Sequence, residues 1–212
     1  MRAQNYEDIR EDILDHLAIG DTLFTAWKGK GFISKAIRYI TGGEVNHVSY
    51  IKPEWLSDGS LAQRVLHEEA LGHGTVINQL SHSIRKKSVE HVTIYRLKSI
   101  KADGLEAHRK ALEILSRPYG FKAIWFHYLI NRIPIIIGSY KFVWLIRKFG
   151  LIAKSEKWIA GTGICSQVGT EIAEAAGITF KNNKIPNWAV DPVMFANWNE
   201  LEPIWKIRGG GY

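Results

Sequence analysis

Apolar and polar positions along the chain follow two periodicities, and the places where one gives way to the other mark its elements. Tyr6, Ile9, Ile13 and Leu17 recur at helical spacing and Gly20 follows, which predicts a short amphipathic helix over 6–17. Asp21 to Thr25 reads as a strand, and Phe32 to Ile40 as a helix ended by Thr41-Gly42-Gly43. His47 to Ile51 alternates and carries β-branched residues, the pattern of a strand. Arg64 to Ala70, Thr75 to Leu80 and His91 to Leu97 are three further strand-like runs, with Gly72 and Gly74 at the first turn. Their succession predicts an antiparallel meander.

Asp103 opens a predicted helix. Glu106 three residues on completes a capping-box variant, Leu105, Leu112 and Leu115 supply an apolar side, and Pro118 ends it. Phe121 to Ala153 is strongly apolar but punctuated by Arg132, Lys141, Arg147 and Lys148. It reads as two helices broken near Pro134 to Gly138. Two uses fit: buried core helices, the commoner use, or a lid or membrane-contacting hairpin with its basic residues at the lipid surface. Beyond Gly161-Thr-Gly163, Val168, Ile172 and Ala176 share one face of a helix over 164–176, and Gly177 sits at its C-cap. Glu202 to Ile207 predicts a closing strand. No linker, repeat or low-complexity tract interrupts the chain. The pattern predicts one α+β domain over 1–212 with an apolar helical insertion at 121–160.

Composition narrows the class. With 212 residues, 46% of them apolar and eight of them Trp, the chain has a globular composition. A net charge of +7 suits attraction to anionic surfaces, or simply solubility. No nucleic-acid-binding motif accompanies that charge, so nucleic acid is not an expected partner. The single cysteine excludes an intrachain disulfide and a multi-cysteine zinc site. Met1 to Leu17 carries Glu7, Asp8, Glu11, Asp12 and Asp15, which is not the pattern of a signal peptide. The expectation is a cytoplasmic protein, with peripheral membrane contact through 121–153 left open.

Cys165 carries the candidate chemistry. It falls in the first turn of the helix over 164–176, after Gly161 and Gly163. A helix N-terminus favours the thiolate, and a backbone N–H there suits an oxyanion. On its own, a lone cysteine is more often a core residue. A Cys–His hydrolase also needs a histidine nearby in space and a polar group that orients it. His47 opens a predicted strand and Glu69 lies on the next one. Neighbouring strands run about 4.8 Å apart, so the Glu69 carboxylate comes within reach of the ring. Glu68 is the rival, because a one-residue slip exchanges strand faces.

These pieces resemble the permuted papain-like amidases of the YiiX/YaeF type, related to the NlpC-type cell-wall peptidases and to lecithin:retinol acyltransferase. GDTLF at 20–24 resembles the opening strand and NHVSYI at 46–51 the His-bearing strand. EALGHGTVINQL at 69–80 and VTIYRL at 92–97 resemble the strands that follow. ICSQVGTEIAEAAG at 164–177 resembles the Cys-bearing helix, and VDPVMFANWNELEPIW at 190–205 the closing segment. The histidine precedes the cysteine, as the permuted order requires. The resemblance implies a circularly permuted papain-like fold, with an antiparallel sheet or partial barrel packed against helices. It implies Cys165 as nucleophile, His47 as base and Glu69 as third residue, acting on an amide of a peptidoglycan-type peptide through an acyl-enzyme. A lipid-directed thioesterase or acyltransferase, or a non-catalytic lipid or cell-wall binding module, fits the same residues. Phe121 to Ala160 lies outside the resemblance.

Other features add little. His67, His73, His82 and His91 show no repeated ligand spacing, so no metal or cofactor is expected. Gly29 to Lys35 lacks the Gly-Lys-Ser/Thr ending of a phosphate loop and reads as a turn and helix start. Ser49 and Ser166 lack a nucleophile-elbow context. Trp188 and Trp198 are read as core.

Overall fold

The structure, a computed structural model, describes residues 22–55, 61–69, 74–98, 104–118, 120, 164–179 and 190–208. The helix expected over 6–17, the insertion at 121–160 and Trp188 lie outside them. The described elements are β1 (Leu23–Gly29), α1 (Phe32–Thr41), β2 (His47–Trp55), β3 (Leu61–Glu69), β4 (Gly74–Gln79) and α2 (Leu80–Arg85). They continue with β5 (Val89–Leu97), α3 (Gly104–Glu113), α4 (Cys165–Ala175), α5 (Pro192–Ala196) and β6 (Leu201–Arg208). The class is α+β, an antiparallel sheet packed against helices.

The sheet has six strands in the order β4-β3-β2-β1-β5-β6, every pairing antiparallel. β1, first of these in the chain, therefore lies inside the sheet and is buried on both faces. The meander expected for 64–97 holds only from β3 to β4. The helix α2 follows β4 directly, and the chain then returns across the sheet, so β5 pairs with β1 and not with β4. Prolines mark where pairing is one-sided. Pro53 lies in β2 past Ile51, where the ladder to β1 has ended, and Pro203 lies in β6 at the sheet edge beside the irregularity at Ile94/Tyr95.

Two cores sit on opposite faces of the sheet. Leu23, Trp27, Ile51, Val92, Ile94 and Ile207 pack with Leu80 and Ile84 of α2. Phe24, Val48 and Tyr50 pack with α3, α4 and the Phe195–Trp198 turn. Trp198 is a core residue, as expected. The face of α3 differs from expectation. Leu105 and Leu112 are exposed, while Ala107, Ala111 and Ile114 are buried. Those positions follow i, i+4, i+7 spacing, and the two alanines let α3 come close to α4 where leucines would hold it away.

Candidate active site

Cys165 is the first residue of α4. Ile164, at the N-cap, is extended and makes no side-chain cap bond. The helix forms because Val168, Ile172, Ala173 and Ala176 make one buried stripe. It ends in a Schellman turn: Gly177 at φ 86° lets its N–H reach the Glu174 carbonyl at 2.9 Å while Ile178 N–H reaches Ala173 at 3.0 Å. The Cys165 side chain is only 4% exposed and belongs to the core that holds Val48 and Tyr50.

His47 is the first residue of β2, held from both sides in sequence. Asn46, just before it, donates its N–H to the Trp27 carbonyl at 2.9 Å and accepts from Gly29 N–H through Oδ1 at 2.6 Å. The ring meets a short polar chain across the β1–β2 register. Thr25 pairs with Ser49 and Trp27 with His47, so all four lie on one sheet face. His47 Nε2 lies 3.1 Å from Ser49 Oγ. Trp27 Nε1–H donates to Ser49 Oγ at 3.1 Å and to Thr25 Oγ1 at 2.7 Å. The indole ring itself sits 6.4 Å from the imidazole, centroid to centroid. Trp27 can only donate, so Ser49 keeps its own proton or a second lone pair for the histidine. Ser49 is therefore a site residue that the motif reading passed over. Its signal was present: in a strand, residue i+2 from His47 shares its face.

Three contacts tie the start of α4 to the chain around the start of β2, although the ladder sets His47 on the sheet face of Trp27 and Ile51 while Cys165 packs in the core on the opposite, Val48 and Tyr50 face. Ser166, fully buried beside Cys165, donates its Oγ–H to the Val190 carbonyl at 2.5 Å. Asp191 then caps α5, its Oδ1 accepting from Val193 and Met194 N–H at 2.8 Å each. Val193 in turn lies against Gly43, where any Cβ would overlap its methyl groups. One helical turn beyond Cys165, Gly169 faces β2: a Cβ there would stand 3.2 Å from Val48 Cγ1 and 3.0 Å from Phe195 ring atoms. The missing side chain lets α4 lie close against the strand residue that follows His47.

The two glutamates lie past the end of the β2–β3 pairing. The β2–β3 ladder runs from Trp55↔Leu61 to Tyr50↔Leu66. It ends there, three residues short of His47, so among the described pairs neither Glu68 nor Glu69 faces a β2 residue. Strand β3 reaches Glu69, which pairs with Gly74 of β4. Below these, burial pushes the Tyr50 hydroxyl up to about 12, so it stays neutral across the physiological range.

The architecture is similar to that of a solved structure, the metalloprotein yiiX from Escherichia coli O157:H7, DUF1105. The match has a TM-score of 0.53 and 14% identity, and covers 88% of this chain and 98% of that one. This chain has a YiiX-type fold. At that identity the YiiX likeness is one of fold alone. No protein-family model matches the sequence, and no curated protein matches it. "Metalloprotein" describes the yiiX chain. Among the described residues here, no group of three or more His, Cys, Asp and Glu comes together around a common point.

Proposed function

We propose that this chain is a cysteine-dependent acyl hydrolase in which Cys165, His47 and Glu69 act together, with an amide of a peptide-type substrate as the bond cleaved. The observation that supports the reading is the uncapped start of α4, tied through Ser166, Val190, Val193 and Gly43 to the segment that leads into β2; the reading further requires the His47 ring, at the first residue of its strand, to reach past the strand end to the α4 side. A helix N-terminus with no side-chain cap keeps its positive end for a thiolate and its N–H groups for an oxyanion.

In the first step Sγ of Cys165 attacks the substrate carbonyl carbon, and the thiol proton passes to His47. Backbone N–H groups in the first turn of α4 take the developing oxyanion. The C–N bond then breaks, His47 gives its proton to the departing amine, and a thioester remains on Cys165. Water attacks the thioester with His47 again as base, which releases the acid and restores the thiol. Ser49 holds Nε2 of the ring, leaving Nδ1 to serve the sulfur. Glu69, across the strands, favours the imidazolium by its charge.

Burial of Cys165 among core residues favours a second reading, a binding module on the same fold in which the thiol only packs. One experiment separates the two. The protein is incubated with a thiol-directed acylating probe and with candidate peptide and lipid acyl substrates, and adducts are located by mass spectrometry. The enzyme reading expects the acyl group on Cys165, and none after Cys165→Ala. Full turnover by Cys165→Ala removes the enzyme reading, and absence of any adduct at Cys165 favours the binding module.

A further inference from the structure

Arg117 is fixed from both of its ends. Its carbonyl accepts the Thr75 N–H at 3.0 Å, and Ser116 N–H donates to the Thr75 carbonyl at 2.9 Å, so the chain after α3 forms a two-bond rung with the start of β4. Thr75 Oγ1 donates to the same Arg117 carbonyl at 3.4 Å. Two left-handed residues close on that rung: Ser116 at φ 64°, and Gly74 at φ 64°, where a Cβ would overlap the Arg117 carbonyl. A serine stays in that region only where its surroundings determine the backbone. Gly74 and Thr75 pair with Glu69 and Glu68, so the glutamate-bearing end of β3 stands on the same rung.

The side chain of Arg117 reaches α4. Its Nη1 donates to Glu171 Oε2 at 2.9 Å and to Oε1 at 3.0 Å, and the two side chains are only 20% and 17% exposed. Gln167, one turn before Glu171, donates its Nε2–H to Glu171 Oε1 at 2.8 Å. A carboxylate can only accept, so this contact sets the orientation of the Gln167 amide. The Gln167 Oε1 is thereby closed off from solvent with no hydrogen-bond partner among the described residues, so the Glu171 contact holds the side chain against its own solvation. Gln167 belongs to the first turn of α4, whose N–H groups the proposed mechanism gives to the oxyanion. We infer that Arg117 is a positioning residue that ties this turn, through Glu171 and Gln167, to the strand end that carries Glu69. The inference rests on the acyl-hydrolase reading and adds to it the part that keeps the oxyanion-binding turn in place against the sheet.

The test compares Arg117→Met, Arg117→Lys and Glu171→Gln in the full chain. Amide exchange at Val168, whose N–H closes the first turn on the Ile164 carbonyl at 3.0 Å, reads the tie directly, with Ala176 at the far end of α4 as internal reference. Arg117→Met is expected to speed Val168 exchange about tenfold relative to Ala176, and Arg117→Lys, which keeps the charge, to recover most of the protection. Acylation of Cys165 by an acylating probe should slow about tenfold in Arg117→Met at unchanged half-saturation, whereas alkylation by iodoacetamide, which develops no oxyanion, should not slow. Glu171→Gln keeps the rung to Thr75 and removes only the charge, so it should give a smaller change in the same direction, and it carries the test if Arg117→Met does not fold. Unchanged Val168 exchange overturns the inference, as does acylation at the wild-type rate or a parallel loss of acylation and alkylation. If the wild type is not acylated at all, the acyl-hydrolase reading fails by itself, and exchange at Val168 still decides whether Arg117 holds the turn.

Discussion

Ser49→Ala isolates the histidine's anchor from the rest of the site. Ser49 is 2% exposed and sits between His47 Nε2 and Trp27 Nε1, each at 3.1 Å. Removing Oγ does not orphan the indole, because its N–H keeps the Thr25 hydroxyl at 2.7 Å. The structural loss is two hydrogen bonds, to the indole and to the imidazole, about 1–2 kcal/mol together. The functional loss falls on His47, whose ring loses the contact that fixes its orientation. If that contact contributes about 1–1.5 kcal/mol to the productive arrangement, acylation at Cys165 slows about tenfold. The assay is the rate of covalent labelling of Cys165 by an acylating probe as a function of pH and probe concentration, beside a denaturant melt. The expected result is a lower maximal rate, unchanged half-saturation by the probe and an altered pH profile, with Ser49→Thr recovering part of the rate. A melt shifted by about 1–2 kcal/mol with labelling as fast as wild type at every pH would refute the positioning role.

Two further outcomes test the scaffold. Gly74→Ala should destabilise by about 3 kcal/mol, because Gly74 has φ 64° and a Cβ there overlaps the Arg117 carbonyl, which is held by Thr75 N–H at 3.0 Å; a wild-type denaturation midpoint would contradict this. Tyr50, pushed from 10.0 up to about 12 by burial, binds its proton in the folded state where the unfolded chain has lost it. Stability should therefore fall as pH rises above 10, by about 1.4 kcal/mol per unit until the folded value is reached, and Tyr50→Phe should flatten that part of the curve; equal slopes in the two proteins would exclude it.

Much of the architecture was legible because local pattern and burial agree. Val168, Ile172 and Ala176 announced the face of α4, and Gly177 its end, since a helix that must bury one stripe advertises it. The strand borne by His47 was equally plain, and so was Ser49's place on its face. What escaped the sequence depended on partners distant in the chain. That β5 joins β1 is settled by which strands share Trp27 and Ile94 in one core, not by turn length. The buried side of α3 is decided by close approach to α4, which favours Ala107 and Ala111 over larger neighbours. Glu69 and Glu68 were equivalent by composition, and the β2–β3 ladder, which ends at Tyr50↔Leu66, does not rank them.

The link from Ser166 to the Val190 carbonyl and on through Val193 to Gly43 also bears on when the site comes into being. His47 and Cys165 come from opposite halves of the chain, so the loop between them must close before either meets the other. During synthesis β1, β2 and β5 can pair while α4 is still unmade. The helix that carries Cys165 then joins a sheet in which His47 is already seated by Trp27 and Ser49. Assembly in that order would keep the proposed nucleophile apart from its proposed base until the sheet stands, making the order of the elements along the chain a timing device as well as a topology.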